Sequence, residues 1–143
     1  GEPPCEPTEA GCVGCGVSAC DGGDVCCGQG AACTTEAGCS SPYIAECDGA
    51  EDCSGGNCCV LLHVEMVGSN ELSDREAYCS TLFCTLSCVG DGCNSGSCRV
   101  TSDCEDYVGF GAGNCCFVPG FSAGSCVRND WAAIIEANGG NCL

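Results

Sequence analysis

Of the chain's 143 residues, 22 are Cys, an even count and a density at which a short sequence is built by disulfides rather than by a large apolar core. Twenty Asp and Glu stand against Arg75, Arg99, Arg128 and no Lys, a formal net charge of -17 that argues against nucleic acid and anionic lipid as partners and leaves divalent cations and basic proteins open. No apolar run approaches the roughly 18 residues of a membrane span, the longest, Val60 to Val67, being broken by His63 and Glu65, so no membrane span is expected.

Eleven intramolecular bridges would consume all 22 thiols, and such a density persists only in an oxidising compartment. The chain begins at Gly1 and shows no apolar targeting segment, which reads as mature secreted or cell-surface protein. The 45% hydrophobic content is largely Cys and Ala, so apolar burial alone does not offset the ordering entropy of the backbone, about 1 to 2 kcal/mol per residue. The bridges decide whether the chain folds.

In chain order, Gly1-Glu2-Pro3-Pro4-Cys5-Glu6-Pro7 predicts an extended, polyproline-like arm, taken as residues 1–14. Three cysteine repeats follow, each containing a vicinal pair: 15–46 around Cys26-Cys27, 47–97 around Cys58-Cys59 and 98–143 around Cys115-Cys116. The six-cysteine groups are Cys15, Cys20, Cys26, Cys27, Cys33, Cys39; then Cys47, Cys53, Cys58, Cys59, Cys79, Cys84; then Cys98, Cys104, Cys115, Cys116, Cys126, Cys142. Cys5, Cys12, Cys88 and Cys93 are left to form two further bridges. Six cysteines allow 15 pairings, and spacing alone does not choose among them.

Within the second repeat, Val60, Leu62, Val64 and Met66 alternate with Leu61, His63, Glu65 and Val67, the period of a half-buried strand. Ser73-Asp74-Arg75-Glu76 has the form of a capping box with Leu72 as staple, predicting a helix from Ser73 to Thr85. In the third repeat Phe117-Val118-Pro119-Gly120-Phe121 reads as two extended pieces around a turn. Asn129-Asp130 caps a second predicted helix, Trp131 to Ala137, ended by Gly139-Gly140 and carrying Trp131, Ile134 and Ile135 on one stripe. The expected class is therefore small and disulfide-rich: tandem cysteine-stapled repeats with short β-hairpins, two short α-helices and little other regular structure.

The order C, C, CC, C, C resembles the inhibitor-cystine-knot (knottin) pattern, and Cys47-Asp-Gly-Ala-Glu-Asp-Cys53 and Cys98-Arg-Val-Thr-Ser-Asp-Cys104, each followed by Asn-Cys-Cys, are similar to modules of cysteine-rich exported bacterial proteins and colipase-like domains. The knottin resemblance implies bridges of first with fourth, second with fifth and third with sixth cysteine. In the first group these are Cys15 with Cys27, Cys20 with Cys33 and Cys26 with Cys39. In the others they are Cys47 with Cys59, Cys53 with Cys79, Cys58 with Cys84, Cys98 with Cys116, Cys104 with Cys126 and Cys115 with Cys142.

Catalytic chemistry finds little to work with. His63 is the sole histidine, so any Ser-His-Asp or Cys-His mechanism must pass through it, and its position predicts the polar face of a strand instead. Acidic clusters at Asp21 to Asp24, Asp48 to Asp52 and Asp103 to Asp106 complete no EF-hand loop and read as solvated turns ahead of calcium sites; no cofactor is expected. Thiolate metal storage relies on dense Cys-x-x-Cys units with Lys nearby, whereas this chain has one such unit, Cys12 to Cys15, and no Lys. The expectation is a non-enzymatic structural subunit of an extracellular filament, surface layer or matrix, a homopolymer in which Gly1 to Gly11 lies against the next copy. The alternative is a soluble inhibitor or toxin-like binding module.

Overall fold

The structure, a computed structural model, describes residues 5–6, 9–15, 18–28, 32–41, 43–65, 71–89, 91–118, 121 and 123–143. A two-stranded ribbon pairs β1 (Val13–Cys15) with β2 (Ser18–Cys20). Ten strands form a second sheet: β3 (Val25–Cys27), β4 (Ala32–Thr34), β5 (Tyr43–Ala45), β6 (Asn57–Glu65), β7 (Glu71–Ser80), β8 (Ser87–Val89), β9 (Gly92–Cys98), β10 (Asn114–Phe117), β11 (Gly124–Val127) and β12 (Asn141–Cys142). The order is β12-β10-β11-β9-β6-β7-β5-β3-β4, with β8 beside β9.

That order divides into three triplets. In each, the strand carrying the vicinal cysteines is central, a hairpin strand lies on one side and a later strand on the other, all antiparallel: β12-β10-β11, β9-β6-β7 and β5-β3-β4. The register repeats too. The third cysteine of each group stands directly opposite the fifth, as Cys26 opposite Cys33, Cys58 opposite Cys79 and Cys115 opposite Cys126.

This register explains a connectivity that corrects the knottin pairing. Residues directly opposite on two strands point to the same face, and successive residues point to opposite faces. The third and fifth cysteines therefore share a face, where they meet the first and second; the fourth faces the other way and takes the sixth. The bridges are Cys15–Cys26, Cys20–Cys33 and Cys27–Cys39; Cys47–Cys58, Cys53–Cys79 and Cys59–Cys84; and Cys98–Cys115, Cys104–Cys126 and Cys116–Cys142. The second-with-fifth bonds are those the resemblance implies. Those of the first and third with Cys27, Cys39, Cys59, Cys84, Cys116 and Cys142 are not, because the vicinal partners are exchanged. Cys5–Cys12 and Cys88–Cys93 use the remaining four, leaving no free cysteine.

Two junctions join the triplets. Between the second and first, β7 and β5 run parallel, with Tyr43 beside Arg75; the buried Arg75 guanidinium lies over the Tyr43 ring at 4.5 Å from its centroid, and burial pulls its pKa down. Between the third and second, β11 and β9 are antiparallel, Gly124 opposite Cys98. Any side chain at Gly124 would run into the Cys98 carbonyl and the Phe117 ring, so this close approach of backbones needs glycine. A parallel junction preserves orientation and an antiparallel one reverses it. The third triplet is thus turned over relative to the other two.

The core reflects the inversion. One cluster gathers Cys15, Cys20, Cys26, Cys47, Cys53 and Cys58 of the first two repeats with Val60, Leu62 and Val64, but takes from the third repeat Cys116 and the helix α1 (Asn129–Ala137), through Trp131 and Ile135. The opposite set of the third repeat, Cys98, Cys104, Cys115 and Cys126, forms a second cluster around Tyr107. Among the described residues, sixteen of the thirty-three buried apolar ones are cysteines, so the interior is as much sulfur as hydrocarbon.

The disulfide-rich class and the C-terminal helix stand as expected, Trp131 and Ile135 buried and Ile134 partly so. The strand at Val60 is β6, with Met66 and Val67 outside the described residues. The helix expected over Ser73 to Thr85 is corrected: Glu71–Ser80 is β7, since eight residues of β6 on one flank and β5 on the other supply strand pairing that outweighs a local helix preference. Phe117 ends β10, while Pro119 and Gly120 of the expected turn lie outside the described residues. So do 1–4, 7 and 8 of the expected arm; the remainder closes a loop through Cys5–Cys12 and enters β1.

Candidate functional site

No disulfide crosses from one of the segments 1–14, 15–46, 47–97 and 98–143 to another. Where the second and third repeats meet, polar side chains add to the β9–β11 pairing. Asp48, next to Cys47, and Glu51 and Asp52, in the 3-10 turn Ala50–Asp52, project toward Arg99 at the end of β9. Arg99 Nη2 donates to Asp48 Oδ1 at 3.0 Å and to Glu51 Oε1, and Nη1 donates to Glu51 Oε2 at 3.1 Å. Gly14 N–H donates to Asp48 Oδ2 at 2.9 Å, and Asp48 N–H to Asp52 Oδ2 at 3.0 Å. One carboxylate thus ties the N-terminal ribbon, the second repeat and the third.

Beside this cluster opens a cleft of about 360 Å³ whose lining includes the polar Glu51, Arg99, Asp103 and Asp106 and the aromatic Phe83 and Tyr107. Asp103 accepts hydrogen bonds from the backbone N–H groups of Arg99 (2.8 Å) and Val100 (3.2 Å), fixing the start of the 3-10 segment Thr101–Phe110. That segment places Tyr107 against β9, where a Cβ at Gly96 would stand 2.7 Å from the phenol oxygen; the hydroxyl donates to the Cys84 carbonyl, and burial raises its pKa. Phe83, 57% exposed, stacks on Tyr107 with ring centroids 5.6 Å apart.

Asp48 is 4% exposed, and burial, followed by the Asp52 carboxyl beside it, raises its pKa to about 7 against the opposing pull of the Gly14 N–H and Arg99. The solvated turn expected at Asp48 to Asp52 is therefore corrected: Asp48 is buried and structural. The Asp48, Glu51 and Asp52 oxygens converge within 4.8 Å, as cation ligands would, but the Arg99 guanidinium supplies the positive charge there. Asp103 and Asp106 are exposed, as is Asp21, whereas Asp24 is half-buried.

An acid whose folded pKa lies above its unfolded value contributes stability in full below the unfolded pKa and loses it as pH rises through the folded one. Asp48, raised from 3.8 to about 7, is expected to make the protein lose stability between about pH 4 and 7. Denaturant titrations across this range should show that slope, and Asp48→Asn should flatten it. An unchanged slope in the variant would assign the pH dependence to other groups.

His63 sits half-buried on β6, on the face opposite Leu62 and Val64 and across from Gly92. Cys12 and Cys15 of the Cys-x-x-Cys unit are bonded to Cys5 and Cys26. With all cysteines in bridges, their sulfurs are not thiolates. Sequence reasoning missed the Asp48–Glu51–Arg99 cluster because the partners lie 48 and 51 residues apart with no shared pattern. It missed Tyr107 because the loop between Cys104 and Cys115 shows no helical or strand period.

Eleven bridges assign the protein to an oxidising environment, and no helix among the described residues is long and apolar enough to cross a membrane. No protein-family model, curated protein or solved structure matches the chain.

Proposed function

We propose that the protein is a secreted, non-catalytic structural subunit of an extracellular assembly: a filament, surface layer or matrix built from copies of itself. The observation that carries this reading is the laying of three like triplets edge to edge in one sheet. A chain that builds its own interior by strand-to-strand addition is adapted to continue the same addition between copies. Dense bridges and the absence of Lys suit a polymer exposed to proteases and drying.

At -17 per copy, neighbours repel, so growth should favour acid, salt or divalent cations. Light scattering and electron microscopy from neutral to acidic pH, with and without calcium, are expected to show ordered polymers. A chain that stays monomeric throughout would remove this reading. The cleft beside Arg99 favours the second reading, a binding module, since exposed Phe83 next to Glu51, Asp103 and Asp106 suits a cationic side chain of a protein partner.

A further inference from the structure

The large sheet ends in two strands of complementary kind. At one end is β4, the hairpin strand of the first triplet; at the other is β12, the later strand of the third. Among the described residues β4 pairs with β3 alone and β12 with β10 alone. Both internal junctions join a hairpin strand of one triplet to a later strand of the next, β11 to β9 and β7 to β5. These junctions engage two and three residue pairs, the lengths of β12 and β4. Short free edges ordinarily resist pairing. Here pairings this short already hold the triplets of the chain together.

Strand directions settle the geometry. Following the antiparallel and parallel pairings across the sheet, β4 runs opposite to β12. If a second copy is placed beside the first in the same orientation, its β12 meets β4 antiparallel, the arrangement of the β11–β9 junction. Ala32, Cys33 and Asn141 are exposed, as is Leu143 beside β12, 53% accessible. Resting on the proposed structural role, we infer that the assembly contact is β4 of one copy against β12 of the next. The contact is heterologous and repeats without closing, so it generates an open ribbon or filament. With nine strands in the path and about 4.8 Å between strands, each copy adds no more than about 43 Å of length.

The test uses Ala32→Glu and Asn141→Glu, each putting a charge at one edge, with Val108→Glu, 60% exposed in the 3-10 segment and outside both edge strands, as control. Circular dichroism confirms folding of each. Under conditions where the parent chain polymerises, each edge variant is expected to raise the critical concentration at least tenfold, while the control and a chain lacking residues 1–4 assemble as the parent does. Mixed in equal amounts, the two edge variants should form a heterodimer that grows no further, since one intact β12 meets one intact β4. Polymerisation of both edge variants at the parent's critical concentration, or homodimers of either, would overturn the inference and leave the structural role standing. Loss of assembly only on deleting residues 1–4 would transfer the contact to the arm. A parent chain that never polymerises removes both readings together.

Discussion

Full reduction of the native protein is expected to abolish the fold. Among the fully buried side chains of the described residues, Leu62, Ile135, Val60, Val64 and Val127 are the large aliphatic ones, each contributing about 1.5 to 3 kcal/mol by burial. Ordering costs about 1 to 2 kcal/mol for every residue, and the rest of the interior is chiefly cystine. In the chain-entropy view a bridge stabilises mainly by restricting the unfolded chain, by about 2 to 4 kcal/mol, more for longer loops. Cys53–Cys79 and Cys116–Cys142, each spanning 26 residues, therefore matter more than Cys88–Cys93, which spans five. Without reductant and denaturant, alkylation should add no mass; after reduction all 22 thiols should react and near-ultraviolet dichroism should vanish. Retention of native dichroism after complete reduction would show that burial sustains the fold unaided.

Trp131→Ala is expected to cost about 3 to 5 kcal/mol, the range for removing a large buried aromatic. Trp131 is 4% exposed and sits where α1 meets the core shared by the first two repeats. The inversion of the third triplet brings this helix to that side, so the substitution tests the inversion as well as the packing. Leu82→Ala, at a position 75% exposed, should change stability by less than about 0.5 kcal/mol. Denaturant titrations with the bridges intact provide both values. Equal, small effects would place Trp131 outside the core.

Much of this architecture is legible in the cysteine order. The vicinal pairs mark the central strand of every triplet, and the four cysteines outside the groups pair with one another. The choice between the two vicinal partners is not legible, because it depends on which face of the strand looks toward the first and second cysteines. Spacing carries no such information until the register of Cys26 with Cys33 is known. The strand β7 hid for a different reason. Arg75 and Ala77 are buried and Glu76 exposed, a two-residue period, but a buried arginine reads as polar in a sequence and masks the alternation. Asp48 carried no signal at all, its burial depending on Arg99, 51 residues on, and on the Gly14 amide, 34 residues back. The edges β4 and β12 became visible only once the strand order was known.

The equivalence of the three triplets rests on one shared connectivity, so the most direct measurement is stepwise reduction with differential alkylation at low pH, followed by fragment mass mapping. The expected result is Cys26 bonded to Cys15 and Cys27 to Cys39, with the same pattern at Cys58-Cys59 and Cys115-Cys116. Bonds from Cys15 to Cys27, Cys47 to Cys59 and Cys98 to Cys116 would contradict it, and with it the three-triplet sheet.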